Sequence, residues 1–383
     1  MLSLLADILF DFPEEYVQEA TGIIDGMKQA GVNLFADFLN REIGPYDILA
    51  CNTMADITSF ACSSISAWGD ATASDSTLGG ETALCRNLDW ARGDNDVLSK
   101  NAIVIGYQPS NPNKRRLAII TVPGFIGCLS CMSESGVAAE LNQSDDNGAT
   151  FPDINFSFHF MPINFTMRKA MEDLDFDGDG IHTINDIYEA VKSSTRLGRQ
   201  IIMAVQPNDG RSDVPGFVIE NDNKGTALRY GGETTPYADN ILAATNHFRV
   251  LAPPVDCWRF EAITQFVLAH NEKLTLDNMW EIMDQVKFDF TIQTIRLIPA
   301  TKSIEVAFTF GDYLSPQKKP ISVPWDELFS GAPESDDDTT IKDDDLADDD
   351  NADNDDSMQT DDDSAAFNDD EVIDGGESEG CGC

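Results

Sequence analysis

The chain has 383 residues, 42% of them hydrophobic, and a formal charge of -42. It is long enough to bury a sizeable core as one large domain or two ordinary ones, and its acidity opposes any nucleic-acid partner. No stretch reaches the roughly 20 consecutive apolar residues that span a bilayer, so no transmembrane segment is expected.

Met1 to Phe10 is apolar, but it contains Asp7 and lacks a basic flank and a small-residue cleavage site, so it reads poorly as a secretory signal. Residues 12–43 have helical periodicity: Val17, Ala20, Ile24 and Met27, then Leu34, Phe35, Phe38 and Leu39, with a break at Gly31 and an end at Gly44-Pro45. Two amphipathic helices are therefore predicted within a leader of residues 1–61. From Cys62 the pattern changes to short β-runs: 63–68, 83–90, 102–108, 117–122 and a hairpin of 127–132 with 137–141 about Ser133-Glu-Ser-Gly136. Later strands fit 200–205, 216–220, 226–230 and 241–245, and the pair 291–298 and 303–310 about Pro299 to Lys302. Helices fit 164–172, 186–194, 258–270 and 276–286, the last with Thr275 as N-cap. Helices in pairs between groups of strands predict a layered α+β sandwich over residues 62–330.

The charge is unevenly spread, because Glu334 to Cys383 holds 22 acidic residues and one lysine, which is half of the net -42. With almost no large apolar residues, 331–383 reads as a disordered acidic tail. It ends Cys381-Gly-Cys383, read as incidental thiols on a solvated tail rather than a metal site or tether. The eight cysteines show no regular disulfide spacing, and Cys128-Leu-Ser-Cys131 reads as a strand pair in preference to a redox or zinc site.

Cys62, framed by small residues at the head of the β-rich part, is the candidate nucleophile. A thiol nucleophile needs a base. Of the four histidines, His182 lies in an acidic loop and His270 at a helix end, which leaves His247 in Thr245-Asn-His-Phe248 as the best histidine partner, although a structural role fits it as well. If the Ala61-Cys62 bond is cut, the cysteine's own α-amino group, with an unperturbed pKa of about 7.7 to 8.0, can be the base instead.

Ala61-Cys-Ser-Ser-Ile-Ser-Ala-Trp-Gly-Asp70, followed by Cys85-Arg-Asn-Leu-Asp-Trp90, resembles the cysteine N-terminal-nucleophile hydrolases of the acyl-coenzyme A:6-aminopenicillanic acid acyltransferase (C45) family, relatives of the choloylglycine hydrolases and acid ceramidases. The resemblance runs over about residues 45–310. It implies a four-layer αββα sandwich and autocatalytic cleavage before Cys62, with Arg86 beside the thiolate and Asp89 holding the new amine. It implies oxyanion and orienting contacts from Asn142 and Asn246, and no cofactor for catalysis. A guanidinium favours a thiolate and a carboxylate raises the basicity of an amine. The competing readings are a surface ion pair for Arg86 and Asp89, and turn hydrogen bonds for the two asparagines. An offset of three puts Arg86 and Asp89 on opposite faces of a regular strand, so both reach Cys62 only if a bulge or strand end intervenes. For a late catalytic arginine the chain offers Arg259 and Arg296, and the choice stays open.

Asp175, Asp177, Asp179, Thr183 and Asp186 occupy positions 1, 3, 5, 9 and 12 of a loop with Gly180 at position 6, the spacing that wraps Ca²⁺ in an EF-hand. His182 at position 8 and Asp rather than Glu at 12 depart from that pattern. A structural Ca²⁺ bracing an insertion at 173–190 is expected. A weak calcium loop and an acidic tail suit an extracellular or envelope location; the cytoplasm is the alternative.

The function expected is an amidohydrolase or acyltransferase that cleaves a small-molecule acyl amide through a Cys62 thioester, with homo-oligomerisation left open. Its rivals are a Cys62/His247 protease without self-cleavage and a calcium-stabilised, non-enzymatic surface-binding protein.

Overall fold

A computed structural model describes residues 9–93, 96–145, 160–195 and 197–330. The expected tail, 331–383, lies outside the described residues. Residues 1–61, expected as a leader, contain α1 (Glu14–Gln29), whose buried Tyr16, Ala20 and Ile24 fall at helical spacing. The second predicted leader helix is not formed. Gly31 takes φ 71° and Asn40 φ 51°, and two short strands, β1 (Phe35–Ala36) before Asn40 and β2 (Arg41–Glu42) directly after it, pair antiparallel. The apolar residues that suggested a helix are partly exposed there, Phe38 at 87%. Pro45, read as a terminator, begins α2 (Pro45–Asn52); a proline at the first helical position loses no hydrogen bond. A single turn, α3 (Met54–Ile57), follows.

From there the strands fall close to their predicted places. One antiparallel sheet has the order β12-β3-β4-β13-β14-β15, made of β3 (Ala61–Ala67), β4 (Ala83–Asp89), β12 (Ile241–Ala244), β13 (Thr291–Ile298), β14 (Ser303–Phe308) and β15 (Ile321–Val323). The other has the order β11-β10-β9-β8-β7-β6-β5. Its strands are β5 (Ile103–Tyr107), β6 (Leu117–Thr121), β7 (Ser130–Ser133), β8 (Ala138–Gln143), β9 (Gln200–Val205), β10 (Gly216–Asn221) and β11 (Thr226–Arg229). The remaining helices are α4 (Val97–Lys100), α5 (Ile163–Glu172), α6 (Ile184–Ser193), α7 (Trp258–Ala269), α8 (Leu276–Gln285) and α9 (Trp325–Phe329). Thr275 caps α8 as predicted, its hydroxyl accepting from Asn278 N.

Strand alternation sorts the core into layers. Ala118, Ile120, Met203 and Val205 meet Leu84, Leu242, Ile295 and Leu297 between the sheets. The opposite faces carry the helices: Ile65, Cys85 and Ala243 pack against Ile263 and Val267 of α7 and Met279 and Met283 of α8. Ile119, Ala139 and Ile202 pack against Met167 of α5 and Ile187 of α6. The order α7/α8, sheet, sheet, α5/α6 is the four-layer αββα sandwich expected. Each fully buried Ile, Leu or Met in these layers is worth about 1.5–3 kcal/mol relative to exposure.

Candidate active site at the head of strand β3

All seven residues of β3 are buried, and their alternation decides what each can reach. Cys62 and Ser64 face the second sheet, while Ser63 and Ile65 face α7 and α8. The register pairs Cys62 with Leu88 and Ser64 with Arg86. Antiparallel partners share a face, so Arg86 stands on Cys62's side, and its Nη2 lies 3.1 Å from Cys62 Sγ. The same Nη2 donates to Leu141 O, which is 3.8 Å from Sγ.

Strand β8 supplies the rest of the arginine's surroundings. Glu140 Oε2 is 3.0 Å from Arg86 Nε, with both side chains fully buried. Ser130 Oγ on β7 accepts from Arg86 Nη1 at 2.7 Å. Asn142 Oδ1 is 3.5 Å from Arg86 Nε, and its Nδ2 donates to Ser64 Oγ at 2.9 Å. Ser64 in turn donates to Glu140 Oε1 at 2.7 Å.

Asp89 pairs with Ala61 and so lies on the other face of β3, as its offset from Arg86 requires. The irregularity that could have turned it inward falls in the neighbouring strand, between Thr291 and Gln293 of β13. Asp89 accepts from Thr291 Oγ1 and lies 3.4 Å from Arg259 Nη1. Arg259, on α7, grips Cys62 through its main chain: Nη1 donates to Cys62 O at 2.6 Å and to Ser63 Oγ at 3.1 Å. Its Nη2 donates to Asn246 Oδ1 at 2.6 Å. That same Oδ1 accepts from Cys62 N at 2.9 Å, and Asn246 Nδ2 donates to Phe60 O and Gln143 O. Cys62 is therefore held by its thiol from one face and by its backbone from the other.

Burial controls the electrostatics of this site. It pushes the Cys62 thiol up to about 12, against the Arg86 charge and with those of Asp89 and Glu140. It raises Glu140 to about 7 despite Arg86 and Asp89 to about 6 despite Arg259. The thiol is thus neutral at pH 7 while Cys62 is in mid-chain.

All five predicted catalytic residues converge here. Of the two late arginines, Arg259 is at the site, and Arg296 is engaged with Glu305. Glu140, Ser64 and Ser130 were not singled out from the sequence. The signal for two of them was period two: Ser64 lies two residues after Cys62, and Glu140 two before Asn142. Ser130 becomes visible only through the register Ser130–Glu140. Next to the site, an apolar cavity of about 150 Å³ is lined by Leu88, Trp90, Phe125, Leu129 and Ile292, with Met54 of the leader closing one wall.

At the far side of α5, the oxygens of Asp175, Asp177 and Asp186 come within 4.8 Å of one another. Asp179 and Thr183 are not in that group. Thr183 caps α6 by accepting from Asn185 N at 3.1 Å, and Asp179 accepts from Ile181 N at 2.8 Å. Three carboxylates from positions 1, 3 and 12 fit a hard divalent cation. His182 is outside that group and is hydrogen-bonded elsewhere. Its Nε2 meets Ala170 O at 2.9 Å and its Nδ1 meets Ser135 Oγ at 2.6 Å; because a carbonyl only accepts, Nε2 carries a proton. Cys128 and Cys131, expected as a plain strand pair, are joined by a disulfide.

Cys62 thus stands at the head of a fully buried strand inside the αββα sandwich. No family model matches the chain. An uncharacterized protein of Archaeoglobus fulgidus is 23% identical over 303 residues, which are 71% of this chain and 47% of that protein; the chain spans about half the length of that relative. Among solved structures, an N-acylethanolamine-hydrolyzing acid amidase ortholog from Caenorhabditis elegans matches with TM-score 0.46 and 16% identity, over 69% of this chain and 100% of that one. Penicillin V acylase from Agrobacterium tumefaciens gives 0.43 and 10%, over 70% and 87%. Conjugated bile acid hydrolase from Clostridium perfringens, in a mutant form, gives 0.41 and 10%, over 69% and 93%.

Proposed function

We propose that the chain is a self-cleaving cysteine amidohydrolase or acyltransferase of the C45 kind, with Cys62 as its nucleophile. The observation that carries this reading is the double grip on Cys62: a guanidinium 3.1 Å from its sulfur, and Asn246 and Arg259 on its own N and O. A structural cysteine needs neither.

In self-cleavage Sγ adds to the Ala61 carbonyl, the Ala61-Cys62 C–N bond breaks, and the acyl group passes to sulfur as a thioester that water hydrolyses. This frees the leader's carboxylate and the Cys62 α-amine. In turnover that amine takes the thiol proton, the thiolate adds to an amide carbonyl, and the proton passes to the departing amine. Water or an acceptor amine resolves the second thioester. Arg86 offsets the thiolate charge, and Asn246 and Asp89, through Arg259, orient the amine. Asn142 and Asn246 are the candidates for stabilising the oxyanion, a contribution of about 2.7–4 kcal/mol for one amide donor. The apolar cavity beside Leu88 supports an amide whose acyl part is apolar.

The rival protease needs an imidazole at the sulfur, and the contacts of Sγ are with Arg86 and Leu141. Intact mass and N-terminal sequencing test the reading. A chain beginning at Cys62 that is lost in Cys62→Ala, and that hydrolyses members of a panel of N-acyl amides, supports it. Full-length protein whose activity depends on His247 overturns it. Alongside catalysis, Asp175, Asp177 and Asp186 are proposed to hold a structural Ca²⁺.

A further inference from the structure

Taking Cys62 as the nucleophile, what fixes Arg86 becomes the question, because a guanidinium favours a thiolate only while it stays in place. Arg86 sits on β4, but apart from Cys62 the partners described above belong to β7 and β8 of the opposite sheet. Three of them depend on the turn from Cys128 to Cys131. Ser130, inside the turn, accepts from Nη1 at 2.7 Å. Leu129, also inside it, accepts from Leu141 N through its carbonyl at 2.9 Å and so places the Leu141 carbonyl that takes Nη2. Glu140 is the register partner of Ser130.

The turn is closed at both ends. The sulfurs of Cys128 and Cys131 are bonded, and both residues are fully buried. Cys128 N donates to Asn164 O at 3.0 Å. The approach to α5 is so close that a Cβ on Gly127 would fall 2.2 Å from Asn164 Nδ2, so this position needs a glycine. Only two residues separate the cysteines, and one of them holds the arginine that touches the nucleophile.

We propose that Ser130, locked inside the disulfide-closed turn Cys128–Cys131, is the positioning residue for Arg86, and that the redox state of this disulfide sets the reactivity of Cys62. The reductant is a dithiol. One of its thiolates attacks a sulfur of the pair to give a mixed disulfide. Its second thiol displaces the protein sulfur and closes a cyclic disulfide, so two electrons pass and Cys128 and Cys131 become free thiols. The unlocked turn relaxes, Ser130 leaves Nη1, and the guanidinium loses its fixed place at Sγ. A less well-supported thiolate has a higher pKa, so the acid limb of the pH profile moves up.

The self-cleaved protein, in both its chains, is assayed with an N-acyl amide before and after dithiothreitol, and thiols are counted by mass in a denatured aliquot. Loss of one charge-assisted hydrogen bond predicts that reduction lowers kcat about tenfold, changes KM less than about twofold, and shifts the acid limb of kcat/KM to higher pH. Ser130→Ala reproduces the loss in either redox state, Ser130→Thr restores most of it, and C128S/C131S is low and insensitive to dithiothreitol. If that double variant does not fold, the chemically reduced wild type, checked by circular dichroism, carries the comparison.

A reduced turn with unchanged kcat and pH profile overturns the proposal, as does a loss confined to KM or to melting temperature. If no amide is cleaved in either state, the functional reading falls separately. The positioning of Arg86 is then read from the pH dependence of Cys62 alkylation, which reduction must move upward.

Discussion

Arg86 and Glu140 are each fully buried, 3.0 Å apart, and neither tolerates loss of the other. Removing one partner of such a pair typically costs about 3–5 kcal/mol, because the remaining charge is stranded in a low-dielectric interior. Arg86→Gln should therefore destabilise the protein by about that much in urea unfolding and abolish turnover. Adding Glu140→Gln should return most of the stability but none of the activity, since the thiolate still has no cation beside it. A double variant that regains turnover would mean that Arg86 serves Glu140 and not Cys62. Cys62, Arg86 and Asp89 were legible in the sequence because the motif that carries them is local, whereas Asn142 and Asn246 came only from the family resemblance. Glu140 carried only its period-two offset from Asn142, and Ser130 carried no signal, because its role comes from facing Arg86 across two sheets, a relation that no spacing along the chain encodes.

Secondary structure was legible wherever periodicity and chain direction agreed. The predicted 200–205 is β9 residue for residue, and the turn at Pro299 to Lys302 closes with Lys302 at φ 52°. The leader misled because Leu34, Phe35, Phe38 and Leu39 repeat like a helix while Asn33 Oδ1 accepts from Phe35 N at 3.0 Å. A local side-chain bond of that kind competes with helix. The acidic loop is the other element whose spacing spoke clearly. If Asp175, Asp177 and Asp186 bind Ca²⁺ in the folded state only, calcium at one hundred times its Kd should stabilise the protein by about 2.7 kcal/mol. Thermal melting in calcium, in magnesium and in a chelator checks this, with the chelator giving the lowest midpoint. An equal calcium shift in Asp175→Asn/Asp177→Asn would place the ion elsewhere.

At the scale of the molecule, counting strands and paired helices gives a layered α+β sandwich and the family resemblance gives its four-layer order, but neither gives the sheet order. Joining β12 to β3 and β4 to β13 brings together segments more than 170 residues apart, and only packing selects such pairings. The same packing holds the leader against the body. Tyr16 stacks on Phe165 at 4.6 Å, Glu19 meets Arg168 at 2.8 Å, and Asn52 Oδ1 accepts from Ile126 N and Gly127 N. If the Ala61-Cys62 bond is cut as proposed, none of these contacts is lost, so the leader should co-elute with the 62–383 chain. Asp56 makes that association depend on pH. It accepts from Ile163 N at 3.2 Å and Gln200 Nε2 at 3.3 Å, and burial raises it from 3.8 to about 8. A released leader would expose Asp56 at its ordinary value, so docking takes up a proton between about pH 4 and pH 8. Association is therefore strongest below that window. It weakens as pH rises through it, by at most about 1.4 kcal/mol per unit, and levels off above pH 8. Asp56→Asn keeps an acceptor for Ile163 N and removes the ionisation. Size-exclusion of the cleaved protein at pH 5 and pH 9 should show the leader retained at the first and partly lost at the second, and Asp56→Asn should show it retained at both. A leader that separates at pH 5 would mean that the Ala61-Cys62 bond itself holds it in place.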